Sequence, residues 1–125
     1  MIVSKVMCGD NVVVERGRAM SEEMLQLRKA YIEIGKLVQK YGYGQYNGIL
    51  NMLMGQIECI DSDEKQDEKW EYLINGYKNI FMGRGGISDF IIYDKDKELT
   101  NKLNEKFNDE VRKVWEIVKK DILTN

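Results

Sequence analysis

The segment with the clearest capacity to bind a ligand through its backbone is the glycine loop Gly83-Arg84-Gly85-Gly86. Glycine-rich backbone can turn several N–H groups toward one anion, and an arginine adds a bidentate donor for phosphate or carboxylate. The loop lacks the Gly-Lys-Ser/Thr ending of a P-loop and the spacing of a dinucleotide fingerprint. Because a chain reversal between helices also needs glycine, a structural turn is the favoured interpretation and an anion-binding loop is the alternative.

Two polar residues, Ser88 and Asp89, follow the glycine loop and precede an apolar stretch, residues 90–93. A serine and an aspartate could position a nucleophile or a water, but such residues more often cap backbone N–H groups. We expect Arg84, which has little bulk around it, to lie at the surface or to reach Asp89. The binding residues predicted here are Gly83, Arg84, Gly85, Gly86, Ser88 and Asp89.

A run of acids alternating with lysines begins the last quarter of the chain. Its oxygen-bearing residues fall at positions one, three, five, seven and twelve of a calcium-loop pattern: Asp94, Asp96, Glu98, Thr100 and Glu105. Leu99 stands where the sharp turn of such a loop requires glycine. The pattern therefore favours a charged helix start over a calcium site.

An acidic patch lies in the middle of the chain, formed by Asp61, Asp63, Glu64, Asp67 and Glu68. Between Asp61 and Glu71 six acids face two lysines, which gives a local charge of -4. Such a patch can attract a basic partner and raise the association rate, although a solvated helix start is the more frequent interpretation. Tyr43 is the one tyrosine that we expect to point outward, from the glycine-rich turn over residues 41–46, and it joins the predicted binding residues.

Composition excludes several functions. The chain has no histidine, so catalytic triads and most zinc centres are excluded, and we expect neither a metal nor a cofactor. An enzyme would have to rely on Asp, Glu, Ser, Cys or Tyr alone, and is not favoured. Cys8 and Cys59 lie 51 residues apart, which fits reduced thiols and a cytoplasmic location. A net charge of -2 and the absence of an apolar stretch of ~20 residues predict no nucleic-acid or membrane partner.

Hydrophobic spacing predicts a mainly α fold, a small bundle of about four helices with a long C-terminal helix. The first helix is expected to begin at Ser21 as its N-cap and to end at Gly42; the last opens near Asp94 or Asp96. One short extended segment is predicted near residues 87–93. The inward residues predicted for the last helix are Leu99, Leu103, Phe107, Val111, Val114, Val118 and Ile122.

The N-terminal residues 1–19 have two interpretations. Residues 2–14 contain two β-prone runs around a Gly-Asp-Asn turn, which predicts a hairpin. Alternatively, the Glu-Arg-Gly sequence ahead of Met20 can be encoded by a ribosome-binding stretch, which would make residues 1–19 a leader outside the natural protein. Residues 20–125 are expected to form a single helical domain.

From Leu27 onward the chain resembles an uncharacterised family of short bacterial proteins with a Gly-Gly-x-Gly-Ser-x-Asn-Asp-Leu-Val-like motif. The matching segments are residues 37–42, 81–92 and 104–115, and of the motif's polar cluster only Ser88 and Asp89 remain. The resemblance implies a small cytoplasmic protein, and some helical proteins of this size are immunity partners of secreted toxins.

Two functions are therefore expected at this point. The first is a protein-binding module, most concretely an immunity- or antitoxin-like inhibitor of a partner protein. The second is a sensor of a small ligand or nucleotide phosphate that uses the loop from Gly83 to Gly86. The partner's identity and the oligomeric state are left open by the sequence.

Overall fold

Four helices make up most of the chain in a computed structural model. The structure describes residues 15–82, 87 and 90–124, with side chains from Glu22 to Leu123 within those ranges. The helices are α1 (Glu15–Tyr41), α2 (Asn47–Asp61), α3 (Gln66–Tyr77) and α4 (Lys97–Thr124), and α3 continues into a π-helical turn over Lys78–Met82. The predicted mainly α bundle with a long C-terminal helix is confirmed. The hairpin predicted for residues 2–14 lies outside the described residues.

The first helix starts earlier than its capping signal. It begins at Glu15, so Ser21 is an interior residue of α1 and the predicted N-cap is wrong. The residues ahead of Ser21 include Glu, Arg, Ala and Met, which are good helix formers. A serine starts a helix only where the preceding residues leave the helical conformation, and here they do not.

Helix α1 contacts both α2 and α4, and its inner face is buried as the spacing predicted. An ion pair of 2.8 Å between Lys106 Nζ and Glu33 Oε1 joins α4 to α1 at the surface. The most completely buried large side chains are Tyr31, Leu27, Ile34, Leu53, Leu73, Ile80, Ile92, Val38, Val114 and Val118. Burying such side chains is the main source of stability in a bundle of this size.

Aromatic rings fill the core beside the π-helical turn. The ring of Tyr77 stacks on Phe81 with centroids 4.7 Å apart, and Trp115 of α4 lies 6.1 Å from Tyr77. Tyr31 is fully buried, and its hydroxyl has no hydrogen-bond partner. Burial therefore raises the pKa of Tyr31 well above its ordinary value and keeps the phenol neutral.

Helices α2 and α3 touch through a polar residue that hydrophobic spacing does not identify. Gln56 of α2 is 2% exposed and its side chain lies over Gly76 of α3. A Cβ at Gly76 would overlap the Gln56 amide. The glycine therefore makes room for the buried amide where the two helices meet.

The start of α4 is fixed by its own acids. Asp96 Oδ1 accepts hydrogen bonds from the N–H groups of Glu98 and Leu99, at 3.0 and 3.2 Å, which is N-cap geometry. The predicted opening of the helix near Asp96 is confirmed. Leu99 itself is 38% exposed and was wrongly predicted to face inward, because the first turn of α4 extends beyond the core.

Candidate functional site

The acidic patch runs from the last residue of α2, across the turn that joins α2 to α3, into the first turn of α3. The hydroxyl of Ser62 donates to the Cys59 carbonyl at 2.7 Å and accepts from the Glu64 N–H at 3.3 Å. These bonds stop α2 and hold the turn in place without using a carboxylate. All five residues of the patch are exposed, so their charges face solvent.

One acid of the patch has a cation of its own. The guanidinium of Arg28 on α1 donates to both carboxylate oxygens of Asp61, at 2.9 and 3.0 Å. This bidentate contact lowers the pKa of Asp61 below its ordinary value. Asp61 is thus an anchor between the turn and α1, and its charge is already balanced.

Two other acids, Glu64 and Glu68, face one another. A hydrogen bond that protonated Glu68 donates to the Glu64 carboxylate raises the pKa of Glu68 above its ordinary value, and desolvation and the charges of Glu64, Asp67 and Glu71 raise it further. Lys69, beside Glu68 in the sequence, makes no ion pair with these acids: it is 7% exposed, and its ammonium donates to the Ile60 carbonyl at 2.8 Å. In the part of the chain that the structure describes, neither Glu64 nor Glu68 forms an ion pair.

The pair borders a shallow depression between α2 and α3, which we name the acidic groove. Its volume is about 400 Å³, and it is lined by Gly55, Glu58, Cys59, Ser62, Glu64, Glu68, Lys69 and Tyr72. The ring of Tyr72 is half exposed on one wall, and Met54 beside Gly55 is 57% exposed. A Cβ at Gly55 would stand 3.1 Å from the Tyr72 hydroxyl, so the glycine lets this side chain lie close to α2.

The groove also contains the thiol of Cys59, which is partly buried. Burial is the main cause that raises the pKa of the Cys59 thiol; the charge of Lys69 opposes it in part, and the charge of Glu64 adds a smaller rise. A thiol is reactive as its thiolate, which this environment disfavours. The groove is suited to hold a cation against carboxylates, with the aromatic ring of Tyr72 alongside.

A larger depression lies between α1 and α4, with a volume of about 930 Å³. Its charged residues neutralise one another locally: Arg112 pairs with Asp109 at 2.8 Å, and Lys113 pairs with Glu110 at 3.2 Å. This depression therefore presents a mixed surface without a dominant charge, and it selects no class of partner.

Of the remaining predicted site residues, Tyr43 is described and the others are not. Tyr43 is 74% exposed, and its φ of 52° is in the left-handed region that favours glycine. Gly83 to Gly86, Ser88 and Asp89 lie outside the described residues, so the predictions for them, including the surface position of Arg84, stay predictions.

The calcium-like positions are used for local structure. Asp94 Oδ1 accepts from the Asp96 N–H at 3.0 Å, and Thr100 Oγ1 bonds both to the N–H and to the carbonyl of Asp94. Within the described part of the chain, no three His, Cys, Asp or Glu residues are grouped so as to hold a metal ion.

Sequence reasoning missed the apolar rim of the groove. Tyr72 and Tyr93 are 51% and 77% exposed, so Tyr43 is not the one outward tyrosine, as was expected. Glu58 of α2 and Tyr72 of α3 lie beside inward residues, and only the packing of the two helices brings them together in the groove. The sequence contains only a weak indication of this surface. Met54, Glu58 and Asp61 recur at helical spacing on the side of α2 that faces away from the core.

None of the helices in the described ranges has the length and apolar character of a membrane span. Comparisons with protein families, with curated proteins and with solved structures give no match.

Proposed function

We propose that this chain is a protein-binding module that receives a basic segment of a partner protein in the acidic groove. Its most concrete form is an immunity- or antitoxin-like inhibitor, which acts by covering a basic surface of its target. One observation carries the proposal: Glu64 and Glu68 both line the groove, neither forms an ion pair among the described residues, and exposed Tyr72 shares the groove with them.

Electrostatics favour a cationic partner. Two ionised carboxylates that are held close together repel each other, and this repulsion lowers the stability of the folded protein. A lysine or arginine placed between them removes that repulsion and gains a charge-assisted hydrogen bond. The exposed carboxylates of Asp63 and Asp67 extend the negative field beyond the groove, and such a field accelerates encounter with a basic surface.

The apolar rim favours a peptide over a simple cation. Tyr72 offers a ring face on which a guanidinium can stack, and Met54 offers a flexible surface that adapts to a neighbouring apolar side chain. Aromatic and arginine contacts of this kind are frequent among the residues that dominate interface energies. We therefore expect a partner segment that carries arginine next to an apolar residue.

The inhibitor role rests on two observations together. The sequence lacks histidine, and the groove carries acidic side chains that are complementary to a basic surface. The resemblance to short bacterial proteins, some of whose size class are immunity proteins, points the same way. An immunity protein needs only a surface that binds its target tightly, and no chemistry of its own.

The test uses the genes on either side of this protein's own gene. Each product is expressed alone and together with this chain, and growth is measured. We expect one product to arrest growth and co-expression of this chain to restore it, with the two proteins co-purifying. If no neighbouring product arrests growth or co-purifies, the inhibitor role is wrong.

A charge-matched pair of variants locates the site. Glu64→Gln with Glu68→Gln should abolish rescue, because it removes the carboxylates of the groove. Glu98→Gln with Glu105→Gln makes the same change of charge on exposed α4 positions and should leave rescue intact. Equal rescue by both double variants would show that the partner binds a surface other than the acidic groove.

A further inference from the structure

The segment over residues 90–94 lies outside the helices, and no strand lies beside it in the described part of the chain. Burial alternates along it, since Phe90 and Ile92 are buried while Ile91 and Tyr93 are exposed. Its hydrogen bonds alternate as well: Asn104 of α4 accepts from the Ile92 N–H and donates to the Ile92 carbonyl, both at 2.9 Å. A period of two in both properties is the signature of extended backbone.

A second side chain of α4 continues this pairing. Thr100, one turn before Asn104, accepts from the Asp94 N–H at 3.0 Å and donates to the Asp94 carbonyl at 2.9 Å. Two polar side chains on one face of α4 thus occupy the positions that a neighbouring strand would fill. They satisfy the inner edge of the segment at residues 92 and 94.

The outer edge of the segment has no neighbouring element among the residues that the structure describes. In an extended segment the N–H and carbonyl of residues 91 and 93 point away from those of residue 92. Among the described residues, Ile91 and Tyr93 have no hydrogen-bond partner. Their side chains are 73% and 77% exposed. An edge with unpaired backbone groups and exposed apolar side chains is a template for another strand.

We propose that a second copy of this chain pairs with this edge, in an antiparallel arrangement about a twofold axis at Ile92. In that register Ile91 of one copy lies opposite Tyr93 of the other. Both residues present a free donor and a free acceptor, so each Ile91–Tyr93 pair exchanges two backbone hydrogen bonds, and the twofold axis repeats them. The same register places an isoleucine against an aromatic ring on each side of the axis, a favourable cross-strand pair.

The area available sets the strength of this contact. An aromatic side chain buries roughly 150–250 Å². Two tyrosines and two isoleucines, each about three-quarters exposed, therefore supply on the order of 500 Å², well under the ~1,600 Å² of a stable interface. The dimer is accordingly weak and reversible, and forms at high protein concentration.

Sedimentation velocity over a concentration series up to about 1 mM tests the proposal. We expect the wild-type protein to shift from monomer toward dimer, and Ile91→Lys with Tyr93→Lys to raise the dissociation constant at least about tenfold. The matched control is Leu25→Lys with Leu123→Lys, at residues of α1 and α4 that are 58% and 72% exposed. This control variant should dimerise as the wild-type protein does.

Amide hydrogen exchange supplies a readout that is specific to the backbone pairing. Exchange at Ile91 and Tyr93 should slow as concentration rises, while exchange at Ile92, already bonded to Asn104, should not change. A protein that stays monomeric at 1 mM, or a dimer in which the lysine variants and the control behave alike, overturns the proposal.

Discussion

At the scale of single residues, Tyr43 is held in a conformation that its side chain disfavours. Its φ of 52° places a Cβ-bearing residue in the left-handed region, followed by Gly44 at φ 79°. A non-glycine residue other than Asn or Asp loses roughly 1–2 kcal/mol there. Tyr43 is 74% exposed, so burial returns little of that energy.

The first prediction follows from this backbone. Tyr43→Asn should raise the free energy of unfolding by a few tenths to about 1 kcal/mol, because asparagine tolerates the left-handed region. Tyr43→Val should lower it, since a β-branched residue is least tolerant there. Urea denaturation measures both. If the two variants change stability equally, Tyr43 does not carry backbone strain.

The clamp on Ile92 gives a second prediction at this scale. Asn104→Ala removes two bonds to Ile92 and one from Asn104 Nδ2 to the Thr100 carbonyl. The loss should cost about 1–3 kcal/mol, because a part-buried N–H and carbonyl lose their partners. Asn104→Asp retains an acceptor for the Ile92 N–H and should cost less. Native-state exchange at the Ile92 amide should accelerate in the alanine variant; unchanged exchange would contradict the clamp.

At the scale of elements, the contact between α2 and α3 depends on Gly76 lying under Gln56. Gly76→Ala should lower the free energy of unfolding by about 1–3 kcal/mol, because the added Cβ overlaps the buried amide. Gly35→Ala, in α1 with nothing within 4 Å of the added Cβ, should instead raise it by up to about 1 kcal/mol.

A double variant completes that test. Gln56→Ala makes room for the new methyl group, so Gln56→Ala with Gly76→Ala should be more stable than the sum of the two single changes. Chemical denaturation of the four proteins gives the coupling energy, which should be 0.5 kcal/mol or more, roughly the threshold for residues in contact. Simple additivity would show that the two residues do not compete for space.

The helices also show which features of the fold could be predicted from the sequence. Apolar spacing located the inner face of α1, because Met24, Leu27 and Tyr31 recur at helical steps whatever the rest of the chain does. The start of α1 was misplaced, since a capping residue is only a local signal. Gln56 and Gly76 were not identified, because the polar amide breaks the apolar pattern and its partner lies on another helix.

The candidate site was predicted in part for the same reason. The acidic patch is visible as a run of residues in the sequence. The sequence did not show which acids of the patch have a cation partner. Asp61 pairs with Arg28, 33 residues earlier, whereas Glu64 and Glu68 interact with each other. Only the packing of α1 against α2 decides which acid receives a cation, and only the packing of α3 places Tyr72 beside the others.

At the scale of the whole molecule, the shifted pKa values of Asp61, Glu33 and Glu68 make the stability of the fold depend on pH. In the folded protein Arg28 lowers the pKa of Asp61, and Lys106 lowers the pKa of Glu33, from ordinary values of 3.8 and 4.5. Each ion pair therefore stabilises the fold above the ordinary pKa of its acid. This stabilisation is lost as the pH falls through the pKa of the acid in the folded protein. The pKa of Glu68 is raised, so its ionisation opposes folding, and that cost disappears as pH falls toward 4.5.

Thermal unfolding should therefore show a melting temperature that rises on mild acidification and falls in stronger acid. Glu68→Gln should raise the melting temperature at neutral pH and remove the rise on mild acidification. Asp61→Asn should weaken the fall in acid. Glu98→Gln is the control and should leave the profile unchanged. A rise that persists in Glu68→Gln would assign it to another group.

Binding of a basic peptide tests the role of the acidic groove most directly. Calorimetric titration of the wild-type protein with a synthetic peptide that alternates arginine and leucine should give saturable binding, weakened by added salt. Glu64→Gln with Glu68→Gln should weaken it about tenfold, which corresponds to about 1.4 kcal/mol. Glu98→Gln with Glu105→Gln should stay within about twofold of wild type, since screened charges far from the groove contribute little. Absence of binding, or an equal loss in the two double variants, would contradict the account.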